Sequence, residues 1–69
     1  MKAYSSREII KILKDDGWYL HEVHGDHHQF KHPNKKGKVT VIHPEKNLTV
    51  RLIRIILKQA GLKEDDISG

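Results

Sequence analysis

Residues 18–43 read WYLHEVHGDHHQFKHPNKKGKVTVIH, and the turns inside this stretch decide the fold. Trp18 to His24 is aromatic and β-branched, the composition of a strand. Gly25-Asp26 offers a tight turn, and His27 to His32 then runs as far as Pro33, which cannot donate to a ladder. Asn34-Lys35-Lys36-Gly37 makes a second turn, leading into Lys38–His43. Three short strands joined this closely predict an antiparallel meander. Period two puts His28, Phe30 and His32 on one face of the middle strand, and His27, Gln29 and Lys31 on the other.

Working outward, both flanks have helical periodicity. Ser5-Ser6-Arg7-Glu8 matches a capping box, and Ile9, Ile10, Ile12 and Leu13 then share one broad face opposite Arg7, Lys11 and Lys14. Gly17, after Asp15-Asp16, suits the left-handed residue that ends a helix. From Thr49 to Ala60, Leu52, Ile53, Ile56, Leu57 and Ala60 form an apolar stripe with Val50 at its margin. Arg51, Arg54 and Lys58 gather on the opposite side. Thr49 is the expected N-cap and Gly61 the expected C-cap. The tail from Lys63 is expected to be loose apart from one anchoring apolar residue. The expected architecture is α+β, in the order αβββα: a three-stranded antiparallel sheet with two helices on one face and the other face open.

Composition narrows the function classes. At 69 residues the chain reads as one domain, residues 1–69, with one small core. It has no cysteine, so neither disulfides nor a thiolate zinc site hold it together. No apolar run is long enough to cross a bilayer, and Met1-Lys2-Ala3-Tyr4-Ser5 lacks a signal peptide's apolar segment. No membrane association is expected, and the expected location is the cytoplasm. The formal net charge is +4, from 13 Lys and Arg against 9 Asp and Glu, which favours an anionic partner. Nucleic acid is the first candidate.

The chemistry-bearing residues are six histidines, His21, His24, His27, His28, His32 and His43, all in or beside the strands. Three readings compete: incidental sheet residues, a metal site, or a site for proton transfer and phosphate contact. Most single strand histidines do no chemistry. A metal needs converging ligands; His24 and His27 flank a turn with Asp26 and His28 nearby, but no ligand motif is present. Proton transfer fits better, because imidazole can act as acid or base near neutral pH. RNA carries its own nucleophile, the 2′-hydroxyl, so such a site needs little beyond proton carriers and cations.

Gly25-Asp26-His27-His28-Gln29-Phe30-Lys31-His32-Pro33 resembles the Gly-Ser-His-x-x-aromatic-x-x-Pro region of the HicA (YcfA-like) toxins. The resemblance extends to the opening Ser-x-x-Glu helix, Gly17-Trp18, Val39-Thr40-Val41-Ile42-His43-Pro44, and Ile55-Ile56-Leu57-Lys58-Gln59-Ala60-Gly61-Leu62. It implies an mRNA-cleaving toxin of a type II toxin–antitoxin system, with a dsRBD-like fold and a HicB-type antitoxin protein as partner. It also places His27 where that family has its catalytic histidine. No cofactor and no metal are expected, because the histidines offer no convincing ligand set. Asp26 replaces the usual Ser or Thr, and Ile42 stands where many relatives have proline. Asp26 either orients His27 and favours its charged form, or repels a phosphate.

Phe30 and Trp18 are expected in the core, although an exposed aromatic at position 30 would stack on a base. Lys35, Lys36 and Lys38 form a cationic hairpin tip. Lys31, Lys35, Lys36, Arg51, Arg54 and Lys58 are the candidate RNA contacts, and Ile55, outside the apolar stripe, a candidate antitoxin contact. The expected activity is metal-independent endoribonuclease cleavage by His27. The alternatives are a non-catalytic RNA-binding module, with the same basic surface, or an inactive toxin relic that binds its antitoxin.

Overall fold

The structure of the protein is a computed structural model and describes residues 2–67. Its elements are α1 (Ser6–Asp15), β1 (Tyr19–His24), β2 (His27–Lys31), β3 (Val39–Ile42) and α2 (Val50–Ala60), followed by a 3-10 turn at Glu64–Asp66. The expected αβββα order holds. The sheet order is β1-β2-β3, with both pairs antiparallel.

Local chemistry sets the ends of α1. The Glu8 backbone N–H donates to Ser5 Oγ at 3.1 Å, and the Ser5 N–H donates to Glu8 Oε1 at 3.0 Å. This reciprocal pair satisfies two donors that the helix leaves free, and it holds the Glu8 carboxyl below its usual range. At the other end Gly17 has a φ of 105°. The Trp18 N–H reaches the Leu13 carbonyl at 2.9 Å and the Gly17 N–H reaches that of Lys14 at 3.0 Å, which makes a Schellman ending. A Cβ on Gly17 would also lie 2.7 Å from His32 Nε2, so both backbone and space require glycine there.

The expected faces of β2 are present. Phe30 is buried beneath the helices with Val39 and Val41 of β3, Ile9 and Leu13 of α1, and Ile53, Ile56 and Leu57 of α2. Burying each such side chain contributes about 1.5–3 kcal/mol. Trp18 joins this core at 2 % exposure, and so do two residues the sequence did not single out, Tyr4 and Leu48. The last two are joined as an isolated bridge, the Leu48 N–H donating to the Tyr4 carbonyl at 2.9 Å.

Three features differ from expectation. Leu52 leaves the apolar stripe and is 37 % exposed, because the core takes only the arc of α2 from Ile53 to Ala60. The strand β1 is exposed along its whole length. An irregularity between Leu20 and Glu22 leaves His21 without a partner, so Leu20 and Val23 both share the side of Phe30 and His28. The tail is ordered by the 3-10 turn, whose Asp66 carboxylate accepts the Lys63 N–H at 2.7 Å, while Ile67 packs partly against the core as its anchor. Residues 68 and 69 lie outside the described residues.

The loop between β2 and β3 ties the two helices together. Lys35 Nζ donates to Asp16 Oδ2 at 2.6 Å and to the Ala60 carbonyl at 3.0 Å, so one ammonium serves the C-terminal ends of both helices. The Asp16 carboxylate also accepts Trp18 Nε1–H at 3.1 Å. His32 Nε2 donates to the Asp16 carbonyl at 2.7 Å, and its Nδ1 accepts the Asn34 N–H at 3.0 Å. These partners assign a neutral ring with its hydrogen on Nε2.

The Lys35 ammonium holds the Asp16 carboxyl below its usual range. The stability this pair contributes is therefore complete above the ordinary carboxylate pKa and lost as pH falls through the lowered one. Lys35→Met should reduce unfolding free energy in urea by about 1–2 kcal/mol near neutral pH. Its stability should also fall less than wild type's as pH drops below about 4, since the linkage is gone. Equal acid slopes for the two proteins would show that the pair is not coupled to folding.

Candidate active site

The hairpin that presents His27 begins with Gly25, whose φ of 60° suits the first central position of a two-residue turn. Space does not require glycine here, since an added Cβ would meet nothing within 4 Å. The turn is tied to β3, because the His43 N–H donates to the Asp26 carbonyl at 2.8 Å. His27 follows as the first residue of β2, opposite His24 on β1 and Ile42 on β3. Its side chain is 57 % exposed, on the face of the sheet away from Phe30. The imidazole is thus held by a paired backbone while its ring remains open to a substrate.

Two carboxylates lie close to this face. Asp26 Oδ1 is 3.6 Å from His27 Nε2, and both side chains are well exposed, so the contact between them is weak. Glu22 Oε2 is 3.1 Å from His24 Nε2, and that contact holds the Glu22 carboxyl below its usual range. Among the described residues no three His, Asp or Glu side chains are grouped so that they could hold a metal ion.

The remaining histidines divide by environment. His32 closes the end of α1. His28 and His43 meet edge to face at 5.0 Å between ring centroids, on the helix side of the sheet. Ser6, buried beneath them, accepts the Glu45 N–H at 2.9 Å, which leaves its own hydroxyl hydrogen for His43 Nδ1 at 2.7 Å. Sequence reading gave Ser6 no role, because its partners are remote in the chain. His28 and His27 therefore belong to opposite faces and cannot converge on one phosphate.

A groove of about 200 Å³ adjoins His27. Thr40 and Ile42 of β3 form one wall, and Leu52, Ile55 and Gln59 of α2 the other, over Leu48 and Ile56. Sequence periodicity placed Leu52 in the core; its position here is what the sequence missed.

The candidate cations fall into two groups. Lys35 is engaged with Asp16 and Ala60, and Arg54 Nε pairs with Glu64 at 2.7 Å, so part of their charge is already answered within the chain. Lys36, Arg51 and Lys58 are exposed and Lys31 half-buried, and none of the four has an acidic partner among the described residues. No described helix is long and apolar enough to cross a membrane.

No curated protein matches the chain. A family model described as the HicA toxin of bacterial toxin–antitoxin systems matches residues 6–62, from the first residue of α1 to just beyond α2. With five elements in the expected order and the Gly25–Pro33 segment presenting its histidine, the chain belongs to the HicA toxin family.

Proposed function

We propose that this toxin is a metal-independent endoribonuclease that cleaves mRNA in the cytoplasm, with His27 as the catalytic group and a HicB-type antitoxin protein as its inhibitor. The observation that carries the reading is an exposed imidazole on the open face of the sheet, at the motif position that the family resemblance marks. The substrate's 2′-hydroxyl attacks the adjacent phosphorus, the bond to the 5′-oxygen breaks, and a 2′,3′-cyclic phosphate forms. His27 accepts the 2′-hydroxyl proton or delivers one to the leaving 5′-oxygen, a contribution of about 10²–10⁴ in rate. Lys31 on the same strand face, with Lys36, Arg51 and Lys58, offsets the charge that builds on the phosphate. Lys35 and Arg54 contribute less, because each is already paired.

His27→Ala should keep a native circular dichroism spectrum and cleave RNA at least about a hundredfold more slowly. His28→Ala, on the other face, should cleave at a near wild-type rate. Undiminished cleavage by His27→Ala would pass the role to His24, its cross-strand neighbour.

Cleavage should persist in EDTA and leave cyclic or 3′-phosphate ends, as product-end mapping would read. Loss in EDTA with recovery on adding zinc would instead make His24, Asp26 and His27 metal ligands.

Co-expressed with its antitoxin, the toxin should purify as a complex lacking nuclease activity, because the inhibitor covers His27 and the cationic surface. Charge reversal at Lys31, Arg51 and Lys58 should weaken RNA binding and lower its salt slope by about one for each lost phosphate contact. An unchanged slope would place the RNA elsewhere.

A further inference from the structure

The groove beside His27 has a composition that proton transfer does not explain. Ile42, Leu52 and Ile55 give it apolar walls, yet Thr40 and Gln59 also face into it. Among the described residues neither the Thr40 hydroxyl nor the Gln59 amide makes a side-chain hydrogen bond, so both remain free for a ligand. An apolar cleft with a few unpaired polar groups is the usual make-up of a small-molecule subsite.

The exposed side of α2 adds a direction. At about 100° per residue, Arg51, Ile55 and Lys58 fall on one line along the helix, with Leu52 and Gln59 beside it. Leu52, Ile55 and Gln59 line the groove, whereas Arg51 and Lys58 stand just outside it. Neither cation has an acidic partner among the described residues, and no carboxylate lines the groove. The fitting ligand is flat and apolar on its faces, carries donors and acceptors on its edge, and is linked to negative charge.

We propose that this groove is a nucleobase subsite, holding the base of a nucleotide next to the scissile phosphate. Ile42, Leu52 and Ile55 take the faces of the base, Gln59 and Thr40 read its edge, and Arg51 and Lys58 contact the flanking phosphates. The proposal rests on the nuclease reading for what it means to be next to the scissile bond. It gives the toxin a preference at one base beside the cut, because an amide edge distinguishes bases by their pattern of donors and acceptors. A side chain of the antitoxin is the competing occupant, and the response of the groove to oligonucleotides against its response to the antitoxin separates the two.

The test uses the full chain and 2′-O-methyl oligonucleotides of A, C or U, which lack the nucleophile and cannot be cleaved. Their addition should move the NMR signals of the Gln59 side-chain amide and the Ile55 and Leu52 methyls, with affinities that differ among the three. Gln59→Ala should weaken the preferred oligonucleotide about tenfold and level the differences. Ile55→Ala, at an exposed position, should weaken all three alike. Oligonucleotides that bind equally and leave the groove signals still would overturn the proposal. So would groove signals that move with the antitoxin alone. A groove that takes bases in a protein that cuts no RNA would keep this inference and sink the nuclease reading. Cleavage lost in His27→Ala beside an unresponsive groove would do the reverse.

Discussion

Two helices end against one another in this protein, and the ammonium of Lys35 lies between their ends. The last turn of a helix leaves carbonyls without partners and carries a partial negative charge. Here the end of α1 adds the Asp16 carboxylate to that charge, and the end of α2 brings the Ala60 carbonyl toward it. A cation at this point satisfies both ends and offsets their repulsion. His32 takes the Asp16 carbonyl, and Gly17 leaves the room it needs. Because Lys35 and His32 both belong to the loop after β2, fixing the helix ends also fixes that loop and the start of β3.

The consequence is a division of labour along β2. His32, just beyond its C-terminal end, is structural, while His27 at its start is free; the two are roughly 16 Å apart at about 3.3 Å per residue. Alternation then separates the two sides of the strand. Phe30 joins the core, and His28 meets His43 over Ser6 on that same side. His27 emerges on the opposite side with Asp26 and His24 as neighbours. Histidines that look alike in the sequence thus differ by face and by end of the strand.

What the sequence made legible was whatever is decided locally. The Ser5–Glu8 box, the glycines at 17, 25 and 61 and the stop at Pro33 each act within a few residues, and they delimit α1, β1 and β2 and end α2. The apolar periods likewise identified Phe30, Ile53, Ile56 and Leu57 as core. Contacts between distant residues were not legible. Lys35 reads as one of a run of lysines at a hairpin tip, and nothing near it in sequence announces Asp16, 19 residues before, or Ala60, 25 residues after. Ser6 reads as the second of two serines at a cap, although its hydroxyl bonds His43, 37 residues away. Leu52 has helical spacing for the stripe, but the arc that the small sheet can cover ends one residue short of it. The groove beside His27 is the product of that shortfall.

Small size has a further effect on control. A domain this short buries only about 60 % of its unfolded surface, too little to wall off a deep catalytic cleft or to support a lid. His27 is accordingly exposed on a nearly open face, with a shallow groove on one side and, beyond it, two cations that have no acidic partner among the described residues. Such a face accepts a flexible, charged, extended ligand readily, since access requires no conformational change. It also has no internal means of refusing one. Occupation of the face from outside is then the physically available form of inhibition, and the same positive charge that gathers a polyanion speeds capture by an acidic partner. Membership of a toxin–antitoxin family agrees with that constraint, since it implies an antitoxin partner, and a face this open is where the inhibition proposed above would act.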